Sequence, residues 1–361
     1  MKLKVALFQG ASNNAGDYLI VDRTKKLLKH FYPECEISEY YRNESLEPYV
    51  EDINKNDIGI FAGGPAYFDG FYPTLAPIVS NLRTIKIPLM FVGAGWFGDS
   101  SNPMILYSDK FGYQQKKLLT RVVKDSRILG CRDVFSTHVL RNNGYDSALM
   151  TGCPAWYDLD KLDEIIYSGT PLKKAKKICI SDCGNREYLG QVAQILILAR
   201  DYFGYEPDIY FVNHKTMDGS FEEIMRKELP DLNIKFVDIS GKLDGFSVYD
   251  DCDVHIGFRV HAHIYNLSKR KISILIEEDS RGAGVNDALG LSHICVTTLT
   301  VKNDNLVRIV NKNLYNQVKD SLLDMENYDC SQMSFAYQKM RYYFENMKNH
   351  LLSIKDIVSS E

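Results

Sequence analysis

Cys252-Asp253-Val254-His255-Ile256-Gly257-Phe258-Arg259-Val260-His261-Ala262-His263-Ile264-Tyr265-Asn266-Leu267-Ser268 reads as a strand that stops at a glycine and restarts as a helix. The segment 252–256, with Cys252, Val254 and Ile256 alternating, reads as a short buried strand. From about His261 the residues Ile264, Leu267 and Ser268 fall on one helical face. The turn between them carries Arg259 and His261, at the carboxyl end of a strand and the first turn of a helix. Open α/β sheets bind ligands there, and helix N-termini favour anions. Arginine adds a planar fork for carboxylate or phosphate, and imidazole moves protons near neutral pH. An arginine that only caps a neighbouring helix or pairs with Asp253 is the structural alternative. His263, two residues beyond His261, points to nearly the opposite side of such a helix and reads as a packing or surface histidine.

Working outward, the same strand-to-helix pattern recurs along all 361 residues, enough for two ordinary domains. The net charge of -4 gives no reason to expect nucleic acid. No apolar run approaches the ~20 residues that span a bilayer. The start, Met1 to Gly10, is too short in its apolar part for a signal peptide and reads as a first strand. The eight cysteines are scattered, and no second pair joins Cys179 and Cys183 to make a zinc site. Reduced thiols in a cytoplasmic protein are expected, with no metal.

The strand over 4–9 runs into Gly10-Ala11-Ser12-Asn13-Asn14-Ala15-Gly16-Asp17 and then a helix with Leu19, Ile20, Leu27 and Leu28 as its stripe. The turn lacks the spacing of a dinucleotide fingerprint or a P-loop. Asp17 is a helix cap or first-turn acid, or else a pocket carboxylate. A strand over 57–62 feeds Gly63-Gly64-Pro65-Ala66-Tyr67-Phe68-Asp69-Gly70-Phe71-Tyr72-Pro73, an aromatic platform for a sugar or a loop folded on its own rings. Another over 88–92 ends in Gly93-Ala94-Gly95-Trp96-Phe97-Gly98-Asp99. A helix near Phe111, a strand over 127–131, a helix opened by Arg132-Asp133-Val134-Phe135-Ser136 and a strand over 147–150 follow. After a polar boundary near 158–176 the pattern restarts with strands over 177–181, 209–213, 234–237, 252–256 and 272–276. Such alternation predicts parallel sheets covered on both faces. The expected domains are 1–160 and 175–328, both Rossmann-like, followed by an amphipathic helix in 329–361. That helix carries Met333, Tyr337, Met340, Phe344, Met347, Leu351, Ile354 and Val358 in a heptad stripe. The stripe suits docking on the body, with a homo-oligomer seam as the alternative.

In this order the chain resembles the polysaccharide pyruvyl transferase family. Asn14-Ala15-Gly16-Asp17 is similar to the family's first glycine–aspartate turn, and Gly63-Gly64 and Gly93-Ala94-Gly95 to its next two glycine loops. Arg132-Asp133 with Ser136, Gly257-Phe258-Arg259-Val260-His261-Ala262 and Asp287-Ala288-Leu289-Gly290-Leu291 continue the match. The loop after Ile276 departs from it, with Arg281 where a lysine is common and an unusually acidic run before it. The resemblance implies two Rossmann-like doubly wound domains facing across a cleft, as in GT-B glycosyltransferases. It also implies transfer of a pyruvyl group from phosphoenolpyruvate to sugar hydroxyls as a ketal, in making cell-surface or exopolysaccharides. Phosphoenolpyruvate would be a co-substrate, with no cofactor. Its contacts map onto Arg259 and His261, and Arg186 is the candidate for a further arginine from the second domain.

The chemistry suits these residues. An enol pyruvate must receive a proton at its methylene carbon while a hydroxyl attacks, which fits His261 as acid and Arg259 as anion clamp. Asp17, Tyr67, Asp69, Trp96 and Asp99 are the candidate acceptor-side residues. A sugar or lipid-linked oligosaccharide would be the acceptor, and a lipid-linked one would bring the protein to the inner membrane face. A GT-B glycosyltransferase using a nucleotide sugar, a relative with a changed donor, and a non-catalytic sugar-binding or scaffold protein are the competing readings.

Overall fold

The computed structural model describes residues 2–98, 108–215, 219–302 and 305–359. The chain divides into two compact units: Met1–Ala11, Leu19–Tyr157 and Met340–Glu361 form the first, Ser12–Tyr18 and Asp158–Lys339 the second.

In the first unit β1 (Lys4–Gln9), β2 (Glu36–Tyr41), β3 (Ile58–Ala62) and β4 (Leu89–Val92) form a parallel sheet in the order β2-β1-β3-β4. Every residue of β3 and β4 is buried, as expected of parallel strands covered on both faces. A parallel pair, β5 (Leu129–Cys131) and β6 (Ala148–Met150), continues from β4 through a bridge between Ala94 and Cys131. The core on one face is aromatic: Phe8, Phe61, Phe71 and Phe91 are fully buried, and Phe61 stacks on Phe91 at 4.6 Å between centroids.

The second unit has β7 (Lys177–Ser181), β8 (Asp208–Asn213), β9 (Ile234–Asp238), β10 (Val254–Gly257) and β11 (Ile272–Leu275), all parallel, in the order β11-β10-β7-β8-β9. The chain leaves β7 outward through β8 and β9, then returns to the other side of β7 as β10. The strand order therefore reverses between β7 and β10, where such sheets open a crevice for ligands. The deciding stretch becomes β10 and the helix Val260–Ser268, with Arg259 between them. Gly257 lies opposite Ser181, and a Cβ on it would come within 2.2 Å of the Ser181 Oγ. No other residue fits that position.

Helix Leu189–Phe203 docks through an apolar stripe, with Val192, Ile195, Leu196 and Ala199 fully buried. An antiparallel ribbon, β12 (Thr297–Lys302) with β13 (Asn305–Val310), was not expected. The C-terminal stripe lies on helix Ser331–Leu352, where Met333, Tyr337, Met340, Phe344, Met347 and Leu351 are all buried within the chain. That is the docked arrangement rather than a free seam. All eight cysteines are free thiols, and only Cys295 is partly exposed.

Candidate functional site

At the crevice of the second unit, β7 ends in Asp182-Cys183-Gly184-Asn185 and β10 in Phe258-Arg259. The Arg259 guanidinium reaches back across the gap. Its Nε donates to Asp182 Oδ1 at 2.7 Å, and its Nη2 to Asp182 Oδ2 at 2.5 Å and the Cys183 carbonyl at 2.9 Å. Asp182 is fully buried and also accepts the His214 N–H at 3.1 Å. Burial pushes its carboxyl up from the usual range, and the Arg259 charge pulls it back. Two of the three guanidinium nitrogens are thus committed to fixing the fork. Among the described residues Nη1 makes no hydrogen bond and is left for a ligand.

Beneath the turn the backbone N–H of Arg259 donates to Ser181 Oγ at 3.2 Å, and that hydroxyl meets His255 Nε2 at 3.0 Å. His255 Nδ1 and His263 Nδ1 share the Ser273 Oγ at 2.7 and 2.8 Å. Both imidazoles are buried, which pushes His255 well down and His263 down to about 3. They are neutral struts under the site, and His263 is the packing histidine expected.

Above the turn lies a pocket of about 430 Å3, lined by Asn13, Asn14, Gly184, Asn185, Tyr188, Lys215, Arg259, Glu278, Asp279, Arg281 and Arg308. Four cationic side chains face two carboxylates there. Arg281 is braced by Asp279, which accepts from its backbone N and its Nε at 2.9 Å each. Glu278 reaches over the end of β7 and accepts from Gly184 N at 2.8 Å and Asn185 N at 3.1 Å. The lining suits a compact, polar, multiply charged anion.

His261, half-buried in the first helical turn, is touched by the turn after β1. A Cβ on Gly16 would lie 2.2 Å from the His261 Nδ1, so the glycine lets the backbone press against the imidazole. The segment is anchored there by Ala15 N to His214 O at 3.3 Å and Gly241 N to Asn13 O at 2.9 Å. The first turn, expected on the acceptor side, thus groups with the unit that carries Arg259 and His261. Asp17 is in the first turn of helix Ala15–Phe31, and its Oδ2 accepts from Asn14 Nδ2 at 3.2 Å.

The remaining expected residues are not gathered at this pocket. Arg186 is exposed in the short turn Arg186–Tyr188, with its Nη2 on Ser220 Oγ at 3.0 Å; the arginines that line the pocket with Arg259 are Arg281 and Arg308. Burial favours the second reading of the aromatic loop, folded on its own rings, and also withdraws Trp96 of the next glycine loop. Tyr67 is fully buried with its hydroxyl on the Gly130 carbonyl at 2.9 Å, and Trp96 is 1% exposed with its Nε1 on Asp109 Oδ2 at 2.6 Å. Neither ring offers a face to a sugar. Asp69 is exposed and accepts the Gly112 N–H, and Asp99 lies outside the described residues. Arg132, Asp133 and Ser136 form a buried clamp: Asp133 caps the helix Val134–Asn142 through Ser136 N at 2.8 Å, and Ser136 Oγ holds the Trp96 N–H at 2.7 Å.

Lys215, Glu278 and Arg308 were not singled out from sequence. Arg308 had a signal, because the runs 297–302 and 305–310 are rich in Thr, Val and Ile around Asn303-Asp304, a hairpin pattern. Glu278 had only the acidity of its loop. Lys215 had none.

Among solved structures, S. aureus MnaA with UDP aligns over 99% of this chain and 98% of its own, at TM-score 0.58 and 15% identity. A Listeria monocytogenes protein assigned as a UDP-N-acetylglucosamine 2-epimerase aligns over 98% and 95%, at TM-score 0.54 and 12% identity. A further UDP-N-acetylglucosamine 2-epimerase aligns over 98% and 95%, at TM-score 0.51 and 11% identity. At such identities the likeness shows the fold: α/β, with two Rossmann-like doubly wound domains of GT-B type and a long C-terminal helix. Among the described residues no helix is long and apolar enough to cross a membrane. No curated protein is a significant match to the sequence. The family model for polysaccharide pyruvyl transferase matches residues 14–280, which takes in the first turn, both strand ends at the crevice, Arg259, His261 and Glu278, and the chain belongs to that family.

Proposed function

We propose that the protein transfers a pyruvyl group from phosphoenolpyruvate to hydroxyls of a sugar or lipid-linked oligosaccharide, forming a ketal in cell-surface polysaccharide synthesis. The observation that carries this reading is Arg259: a guanidinium fixed by a buried carboxylate, with one nitrogen left over, in a cationic pocket at the switch point of its sheet. Phosphoenolpyruvate is small and carries a carboxylate and a phosphate. Arg259, Arg281, Arg308 and Lys215 supply the matching charge.

In the reaction the methylene carbon of the donor takes a proton and C2 becomes electrophilic. One sugar hydroxyl adds to C2, and a second displaces phosphate from it. One hydroxyl proton ends on the new methyl group and the other leaves with phosphate, so the exchange balances without an oxidant or reductant. His261 is the proton donor in this reading, held by the backbone of Gly16. Arg259 stabilises the departing phosphate, aided by the N-terminus of helix Val260–Ser268.

Calorimetric titration with phosphoenolpyruvate, and separately with UDP, tests the donor. Binding of phosphoenolpyruvate that Arg259→Ala weakens is the expected result. Binding of UDP alone would replace the reading with nucleotide-sugar chemistry.

A further inference from the structure

The backbone N–H groups of Gly184 and Asn185 leave the end of β7 beside Arg259. Successive free amides at such a turn make an anion seat. Here the seat is taken by the protein itself. Both Glu278 oxygens accept from Gly184 N, at 2.9 and 2.8 Å, and Oε1 also accepts from Asn185 N at 3.1 Å. A Cβ on Gly184 would lie 3.0 Å from Glu278 Oε2 and 3.6 Å from Arg259 Nη1. The carboxylate, the two amides and the uncommitted guanidinium nitrogen therefore converge on one spot in the pocket.

We propose that this spot is the seat of the ligand's phosphate and that Glu278 is its resident occupant, a gate that a ligand must displace. Resting on the donor reading above, the gate gives the site its selectivity. A tethered carboxylate outcompetes a monoanion for two amides, whereas a phosphate brings more charge and a third oxygen for Arg259. Glu278 also keeps the amides satisfied when the site holds no donor, and its charge adds to that of Asp182 beside Arg259. The charged and titratable groups around it are Arg259, Asp279, Arg281, Cys183 and Tyr188.

The test is isothermal titration of wild type and Glu278→Gln with phosphoenolpyruvate and with inorganic phosphate at pH 8. Glutamine keeps one acceptor oxygen, but its NH2 cannot accept a second N–H, and the like charge is gone. Both ligands should bind at least about tenfold tighter to the variant, a modest part of the repulsion between unit charges in a half-buried site. Burial raises the Glu278 carboxyl, so lowering the pH protonates wild type first and should close the gap; the ligand's own titration is common to both proteins. Equal or weaker binding by Glu278→Gln overturns the gate while leaving the donor reading intact. Tightened phosphate binding with no phosphoenolpyruvate binding in either protein supports the gate and removes the donor reading. Should Glu278→Gln fail to fold, Glu278→Asp draws the carboxylate back from the amides and should still tighten phosphate binding; unchanged affinity there also overturns the gate.

Discussion

The two sheets share a plan and differ at the point where their strand order reverses. In the first unit the reversal falls between β1 and β3, beside Gly10 and Gly63-Gly64. Arg42, just beyond the end of β2, lies down into that space. Its Nη1 donates to the Gly63 carbonyl at 3.0 Å, and its guanidinium sits 5.4 Å over the Phe71 ring. Cβ atoms on Gly10 and Gly64 would come within 3.0 and 2.8 Å of it. Its side chain is buried, and the crevice is filled from inside. In the second unit Arg259 stands at the end of a reversal strand, is tied back by Asp182, and borders a pocket of about 430 Å3. Glycine-rich loops at strand ends therefore do not by themselves mark a ligand site. The difference is made by where the arginine starts and which groups hold it.

Arg259→Ala should have the largest effect. It strands the Asp182 carboxylate, which is fully buried, and breaking such a pair costs about 3–5 kcal/mol in urea unfolding. Adding Asp182→Asn should recover much of that stability. Phosphoenolpyruvate affinity should fall by about 1.5–3 kcal/mol and stay low in the double variant. A loss of stability without any loss of affinity would reduce Arg259 to a strut, like Arg42.

His261→Ala comes next: turnover should fall at least about 100-fold with donor affinity kept, read from single-turnover rates beside calorimetry. Gly16→Ala should move in the same direction, because its Cβ needs the space of the imidazole. Undiminished turnover in both would take His261 out of the chemistry. Arg42→Ala is the control from the other crevice. Leaving the Gly63 carbonyl without its donor should cost about 1–3 kcal/mol of stability, with wild-type affinity for phosphoenolpyruvate. An affinity loss like that of Arg259→Ala would erase the contrast between the crevices.

Most strands and helices were legible because parallel strands buried on both faces write continuous apolar runs, as in Ile58–Ala62 and Ile272–Leu275; the edge strand Glu36–Tyr41, with no fully buried residue, was not. Arg259 and His261 were legible because strand, glycine and helix occur in immediate succession. Partners distant in sequence were not. Nothing local tells that Gly16 meets His261, that Asp182 holds Arg259, or that Glu278 reaches the amides after β7. Those contacts follow from strand order, which pattern does not give. The acceptor-side assignment of Tyr67 and Trp96 failed for a related reason: each carries a polar handle that finds a partner, Gly130 O and Asp109, so a ring that looks like a platform is satisfied when buried.

The smallest effect concerns pH and again separates the units. In the second, His214, His255 and His263 are buried around Arg259 and pushed down, His263 to about 3; in the first, only His350 is so placed among the described residues. A histidine depressed in the fold binds its proton more readily when unfolded. Its neutral form therefore favours the fold fully above about pH 6.5, and that stability is lost as pH falls below it, by at most about 1.4 kcal/mol per pH unit for each group. His293 acts in reverse, since its hydrogen bond to Glu277 raises it and adds stability on the acid side. His263→Asn keeps an acceptor near the Ser273 hydroxyl and cannot titrate. Urea midpoints between pH 5 and 6.5 should slope less steeply in this variant than in wild type, with no difference in slope above pH 7. Hydrogen exchange should place the restored protection in β10 and β11 rather than in β3 and β4. A slope unchanged by the substitution would mean that His263 is not held neutral, and the strut under Arg259 would then carry a charge that the pocket feels.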